Sequence, residues 1–404
     1  MRVGLVCPYS FDSPGGVQNH VLGLAAYLRR HGHEPSILAP GELDDTDPLQ
    51  SELRSSFTSA GSAIPVPYNG SVARVNFGPR SAARVRRWLR AGEFDLVHIH
   101  EPITPSVAIL ALWACEVPVV ATFHTATPRS RTMQVAGGTM QSTVEKIDAG
   151  IAVSESARRV VVQHLGRDAV VVPNGFSHAD FASVADLPGT EAKMSPWRGG
   201  ERPRLTFLGR VDEPRKGLDV LLAALPTIRA QVPELDVVVA GQGSRRLPPG
   251  CSMPGAISND ERAALLAGTD VFVAPHLARE SFGIVLLEAM AGGAAVVASD
   301  LPAFVDILSA GTAGTAGPSD RAGRDALLGS IFPAGDSEAL ASSVAGVLLR
   351  PDPTRTEAAR SASRRYDWAV VGNEIVEVYR AAVSAGSPSV PGRLRPVTSR
   401  QGAG

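Results

Sequence analysis

The chain has 404 residues, 44% of them hydrophobic and 20% charged, with a formal net charge of -1. That length favours two domains over one core, the composition is that of a soluble globular protein, and near-neutrality gives no sign of a nucleic-acid partner. Cys7, Cys115 and Cys251 are far apart and in no metal-ligand spacing, which excludes a disulfide framework and suits a reducing cytoplasm. No apolar run approaches the length of a membrane span, and the one after Arg2 is too short for a signal peptide. A cytoplasmic location is expected, with contact to a membrane surface still open.

In chain order, residues 2–7 read as a buried strand, 8–14 as a loop, Gly15-Gly16 as a turn and 17–31 as an amphipathic helix. This is a Rossmann-type opening without G-x-G-x-x-G, so dinucleotide binding is weakly supported. The two glycines fit either a tight turn or a backbone approach to a diphosphate. A strand at 36–39, a polar loop and a short strand at 64–66 follow. The helix predicted over 79–91 carries Arg80, Arg84, Arg86, Arg87 and Arg90, with Val85, Trp88 and Leu89 on its apolar side. Its basic face is either ordinary solvated surface or a weak docking face for anionic lipid, at about 1 kcal/mol per arginine.

Strands are predicted at 94–99 and 117–123, and their carboxyl ends bring His100 and His124 toward a ligand crevice, whereas His98 points to the opposite, packed face. A strand at 147–154, a helix at 155–164 and a strand at 169–172 close the first half. Residues 177–203 read as a linker and loop.

The alternation then restarts with a strand at 205–208 and a helix at 218–231, and Arg210 and Lys216 bracket the loop between them. Two cations there suit a diphosphate, or else belong to a solvated loop. A strand at 235–240, a short Gly/Pro loop and a helix at 260–267 lead to the stretch 271–300. That stretch reads as strand, loop with Glu280, Ser281, Phe282 and Gly283, helix from Ile284 and a further strand. The helix start offers free N–H groups and a positive dipole end suited to phosphate. Glu280 and Glu288 would repel phosphate and instead fit sugar hydroxyls, so the stretch suggests a sugar joined to a phosphate. Residues 311–335 read as a low-complexity or mobile insertion, 337–349 as an amphipathic helix, 366–382 as a closing helix, and the tail after Ser384 as disordered.

Gly15-Gly16, Arg210…Lys216 and E-x(7)-E from Glu280 to Glu288 together resemble the retaining, two-Rossmann (B-type) glycosyltransferases of the family 4 type. VCPYSFDSPGGVQNHV, VPYNGSVARVNFGP, DLVHIHEP, LGRVDEPRKG and APHLARESFGIVLLEAMAGG look, more narrowly, like the phosphatidylinositol α-mannosyltransferases. The likeness implies two Rossmann-like α/β domains facing across a cleft: an acceptor and membrane domain at 1–175, a nucleotide-sugar domain at 176–365, and a helix at 366–383 returning to the first.

It also implies mannose transfer from GDP-mannose to the inositol 2-position of phosphatidylinositol, with retention, at the cytoplasmic face of the membrane. Gly16 would hold the donor diphosphate, Arg210, Arg215 and Lys216 would neutralise it, and Glu280 would touch the mannose with the Phe282–Ile284 amides and Ser281 beside it. Glu288 would hold the ribose; Ile257, Ser258, Asn259 and Arg262 would line the guanine. His124 would stand near the reacting carbon. Tyr9, Gln18, Tyr68, Asn69 and Arg74 would hold the head group, and the arginine helix would lie on anionic membrane. The one Asp-x-Asp, Asp45-Thr46-Asp47, falls in the polar loop of the first half, apart from the residues assigned to the diphosphate, so no protein-held metal or organic cofactor is expected, though free magnesium could assist. The loop 243–255 is shorter than the family pattern, Ile257-Ser258-Asn259 is less acidic, and 311–331 has no counterpart. The rival readings are a related transferase with another donor or a soluble acceptor, a non-catalytic membrane-associated binding protein, and a sugar-nucleotide epimerase.

Overall fold

The computed structural model describes residues 1–13, 15–68, 71–124, 142–184, 202–278, 280–309 and 327–386. The chain divides into two units: Met1–Gly175 with the chain from Trp368 onward, and Phe176–Asp367. Each is a Rossmann-like α/β domain. Tyr366 and Asp367 belong to the second unit, so the return to the first begins at Trp368, two residues later than the sequence pattern placed it.

In the first unit the strands are β1 (Arg2–Val6), β2 (Glu34–Ala39), β3 (Phe57–Ser59), β4 (Ile64–Tyr68), β5 (Ser71–Val75), β6 (Leu96–His100), β7 (Val119–Phe123), β8 (Ala149–Ala152) and β9 (Val170–Val171). Seven of them form a parallel sheet in the order β3-β2-β1-β6-β7-β8-β9, and β4 pairs with β5 as a separate antiparallel hairpin. The central strands are buried along their whole length, as parallel strands covered on both faces must be. The Gly16–Arg30 helix covers one face, and the Trp368–Gly386 helix packs beside it. Tyr379 and Val371 from that last helix are fully buried in the same core as Val3, Leu5 and Leu24. The Trp368 ring sits where a Cβ on Gly23 or Gly175 would be, 2.4 and 2.7 Å from its atoms, so both positions must lack a side chain.

The second unit contains β10 (Arg204–Leu208), β11 (Asp236–Ala240), β12 (Cys251–Gly255), β13 (Val271–Ala274), β14 (Ala295–Ser299) and β15 (Ser330–Phe332). They form a parallel sheet in the order β12-β11-β10-β13-β14-β15. Both sheets therefore reverse direction beside their first strand, between β1 and β6 and between β10 and β13. In such sheets the crevice at the carboxyl ends of those strands is where ligands bind.

Several sequence expectations change. The Gly/Pro loop before the 260–267 helix contains strand β12, whose residues alternate between exposed and half-buried at the sheet edge. Strand β15 and its neighbours occupy the end of the expected 311–335 insertion, and that segment is part of the sheet; 310–326 lies outside the described residues. The expected linker at 177–203 begins with a short helix, His178–Ala182, and 185–201 is likewise outside, as is most of the expected disordered tail. A helix at Val107–Ala114, VAILALWA, was not foreseen. It is apolar nearly all round because it is buried nearly all round, so it shows no amphipathic period.

Candidate active site

In the second unit the loop after β10 turns through a 3-10 segment, Pro214–Lys216, into the Leu218–Gln231 helix. Gly217 makes the turn at φ 70°, and a Cβ there would lie 1.7 Å from the Pro275 carbonyl oxygen. Leu277 N–H donates to the Arg215 carbonyl at 2.8 Å. The loops after β10 and β13 are thereby joined, and this brings together side chains 64 residues apart in sequence. Lys216 Nζ donates to Glu280 Oε2 at 3.1 Å, His276 Nδ1 meets the same oxygen at 3.0 Å, and Arg215 Nη1 lies 3.9 Å away. Arg215 is held in turn by the buried Glu213 carboxylate.

Burial opposes ionisation of Glu280, but the Lys216 ammonium and the His276 hydrogen bond hold its carboxyl well below the usual range. Burial likewise lowers His276. The imidazole is therefore neutral and gives its Nδ1 proton to Glu280. Ser299 Oγ donates to the His276 carbonyl at 2.7 Å and fixes its backbone. His276 follows β13 as His100 and His124 end or follow their strands, and the same positional signal could have singled it out.

Beyond Glu280, the Ile284–Gly292 helix starts after Gly283, at φ 99°, with no side-chain cap. A Cβ on Gly283 would meet Phe304 at 2.7 Å. Phe282 is buried edge-on to Tyr366, and Ser281 is half-buried. Glu288, one turn inside the helix, is 4% exposed. Arg262 Nη2 lies 3.3 Å from its Oε1, while Oε2 has no hydrogen-bond partner among the described residues. Burial raises its pKa and Arg262 offsets part of that rise. Arg262 also donates to Asn259 Oδ1 and lies over the Phe181 ring. Ser258 caps the Asn259–Ala267 helix in a reciprocal box with Glu261, and Ile257 packs at the core edge. The Ser258 hydroxyl is thus committed to the helix. Arg210 is exposed in the loop after β10.

In the first unit Gly16 begins its helix uncapped and exposed, with nothing among the described residues within 4 Å of where its Cβ would be. A backbone approach by a ligand is open there. Gln18 is buried, and its amide donates to the Ser10 and Ser13 carbonyls at 3.0 and 3.1 Å; both amide hydrogens expected at a head group hold the loop after β1 in place. Tyr9 bridges to Val75, and Ser10 N–H donates to the Arg74 carbonyl, so loop and hairpin are tied together. The Arg74 side chain is exposed, Tyr68 ends β4, and Asn69 lies outside the described residues. Arg80, Arg84, Arg86, Arg87 and Arg90 are all exposed on the Pro79–Gly92 helix, while Ser81, Val85 and Trp88 face the core. Phe77, just before this helix, is 53% exposed.

His124 follows β7, and its backbone N–H donates to the buried carboxylate of Glu101 at 2.7 Å. Its Nε2 lies 3.0 Å from His100 Nδ1. His98 is packed as expected, but on the same face of β6 as His100, two residues on: their ring centroids are 4.3 Å apart, and its two nitrogens lie 2.7 and 2.6 Å from the Tyr379 and Thr122 hydroxyls. Burial pushes both His98 and His124 down to about 3. His20, which the sequence reading passed over, completes this cluster.

The description "Glycosyltransferase Family 4" matches residues 14–180 and "Glycosyl transferases group 1" matches residues 202–349. A phosphatidyl-myo-inositol mannosyltransferase of Propionibacterium freudenreichii subsp. shermanii is 46% identical over 383 residues, 95% of this chain and 95% of the relative. One from Mycolicibacterium smegmatis is 44% identical over 396 residues, 96% of this chain and 95% of the relative. Among solved structures, a glycosyltransferase from Rickettsia africae superposes with TM-score 0.70 at 18% identity, over 94% of this chain and 98% of that one. That last likeness is one of fold.

Proposed function

The chain belongs to the phosphatidyl-myo-inositol mannosyltransferase family of glycosyltransferases, and we propose that it transfers mannose to the inositol ring of phosphatidylinositol. The donor is GDP-mannose, the acceptor atom is the inositol 2-oxygen, and the anomeric configuration is retained. The observation that carries the donor half is the Lys216–Glu280–His276 cluster, set beside an uncapped helix start at the switch point of a Rossmann sheet. It offers a cation and backbone N–H groups for phosphate, and an ionised carboxylate that can only accept, which suits sugar hydroxyls.

In this reading Gly16 holds the diphosphate by its backbone, and Arg210, Arg215 and Lys216 neutralise it without a protein-held metal. Glu280 orients the mannose, Glu288 the ribose, and Ile257, Ser258, Asn259 and Arg262 flank the base. His124 contacts the sugar near the reacting carbon. Tyr9, Tyr68, Asn69 and Arg74 take up the inositol phosphate, with Gln18 keeping the loop beside them in shape.

Retention by double displacement would need a carboxylate nucleophile. Glu280 already holds Lys216 and His276, and Glu288 is buried under Arg262, which supports departure and attack on one face instead. The bond from the anomeric carbon to the phosphate oxygen breaks, and the inositol oxygen bonds to that carbon. The hydroxyl proton passes to the departing diphosphate. Arg210 and Lys216 stabilise the charge growing on GDP, commonly the largest single contribution to such a step.

The exposed arginines of the Pro79–Gly92 helix, with Phe77 beside them, support peripheral docking on the cytoplasmic face of an anionic membrane. No described helix is long and apolar enough to cross one. Incubation with radiolabelled GDP-mannose and phosphatidylinositol vesicles tests the whole reading, and labelled lipid is the expected product. No labelled lipid would overturn it, and equal transfer to free inositol would make the acceptor a soluble polyol.

A further inference from the structure

The first unit carries a second arrangement. His20 comes from the Gly16–Arg30 helix, His100 ends β6 and His124 follows β7, and all three are buried. Their ring centroids form a near-equilateral triangle, with sides of 5.4 Å for His20–His100, 5.1 Å for His20–His124 and 5.2 Å for His100–His124. One nitrogen of each lies within 4.8 Å of one from each of the others. A divalent zinc ion binds imidazole nitrogen at about 2.0–2.1 Å, which puts each ring centre about 3.2 Å from the metal and tetrahedrally arranged centres about 5.2 Å apart. The ring triangle has that size, and the nitrogens, within 4.8 Å of one another, would draw in to the separation of about 3.3 Å that tetrahedral ligands need.

The nitrogens are also available. His20 Nδ1, His20 Nε2 and His100 Nε2 are buried with no hydrogen-bond partner among the described residues, a state that native interiors rarely leave uncompensated. His100 Nδ1 and His124 Nε2 contact only at 3.0 Å, so a shared metal would replace one hydrogen bond with two coordinate bonds. Glu101, 1% exposed, keeps a carboxylate oxygen on the His124 backbone N–H.

We propose that His20, His100 and His124 form a binding site for a transition-metal dication of the imidazole-preferring class, zinc first, with the fourth position open to water or a ligand. Binding stands on this geometry alone. Its consequence for turnover rests on the proposed role of His124: metal held there takes that imidazole away from the sugar, so occupancy inhibits transfer.

The test uses the full chain, stripped with a chelator and titrated with zinc by calorimetry, with cobalt(II) added in parallel and read by visible absorption. The expected result is one equivalent of zinc, a tetrahedral cobalt spectrum, and affinity at least tenfold weaker in both His20→Gln and His100→Gln. The cobalt spectrum on the unaltered chain reads the geometry even where a variant fails to fold. No stoichiometric zinc, an octahedral cobalt spectrum, or binding unchanged in both variants would overturn the site. These readouts need neither donor nor lipid, so failure of the proposed transfer reaction would register separately.

Discussion

Arg262→Met isolates the most exposed dependence in the second unit. Arg262 is the cation on the buried Glu288 carboxylate, at 3.3 Å, and methionine keeps most of its aliphatic stem while losing the guanidinium that lies over Phe181. Breaking a buried pair from one side costs about 3–5 kcal/mol, because the remaining charge is stranded. Here the loss has a ceiling, since the carboxyl can take up a proton instead. From an ordinary glutamate value near 4.3, protonation costs about 4 kcal/mol at pH 7.5 and about 1.5 kcal/mol at pH 5.5. Glu288 is already raised by burial, and removing Arg262 raises it further. A raised carboxyl binds its proton more tightly when folded, so the variant loses stability as pH climbs above the unfolded value and regains it toward acid.

Urea unfolding followed by circular dichroism should show a deficit of about 3–4 kcal/mol against the parent at pH 7.5, shrinking to about 1–2 kcal/mol at pH 5.5. Arg262→Met with Glu288→Gln should recover most of the loss at pH 7.5. A deficit independent of pH, with no recovery in the double variant, would refute the account.

Gly217→Ala should abolish transfer and lower the melting temperature, because the added methyl meets the Pro275 carbonyl at 1.7 Å and forces the two loops apart; calorimetry and the lipid-labelling assay read both effects. Arg210→Ala should lower turnover by about a hundredfold or more with the fold intact, by analogy with deleting one charge-stabilising donor elsewhere; unchanged turnover would remove it from the site. Replacing Arg86, Arg87 and Arg90 together by Gln should weaken sedimentation with anionic vesicles on the order of a hundredfold, at about 1 kcal/mol per arginine. Its stability should be unaffected, since all three are exposed.

The strand and helix alternation was legible because parallel strands appear as unbroken apolar runs and most covering helices keep a one-sided period. What escaped has a physical reason in each case. The Val107–Ala114 helix is covered on nearly every side, with only Trp113 exposed, β12 is an edge strand interrupted by Pro254, and β15 has only three residues after a Gly-rich stretch. Lys216 and Glu280 were singled out separately, but their meeting depends on a tertiary contact through Gly217 and Pro275 that no local pattern encodes. His20 was readable: it lies three residues after Val17 and four before Leu24, on the apolar side of its helix.

The Trp368–Gly386 helix carries a consequence for synthesis. Tyr379 and Val371 fill the interior shared by β1 and the Gly16–Arg30 helix, and Trp368 occupies the gaps at Gly23 and Gly175. The unit that leaves the ribosome first therefore lacks a wall until Trp368–Gly386 has been made, whereas the second unit is one uninterrupted stretch and can close earlier. Nascent chains usually fold from the amino end; here completion runs the other way. A chain truncated before Trp368 would carry a complete second unit tethered to an open first one.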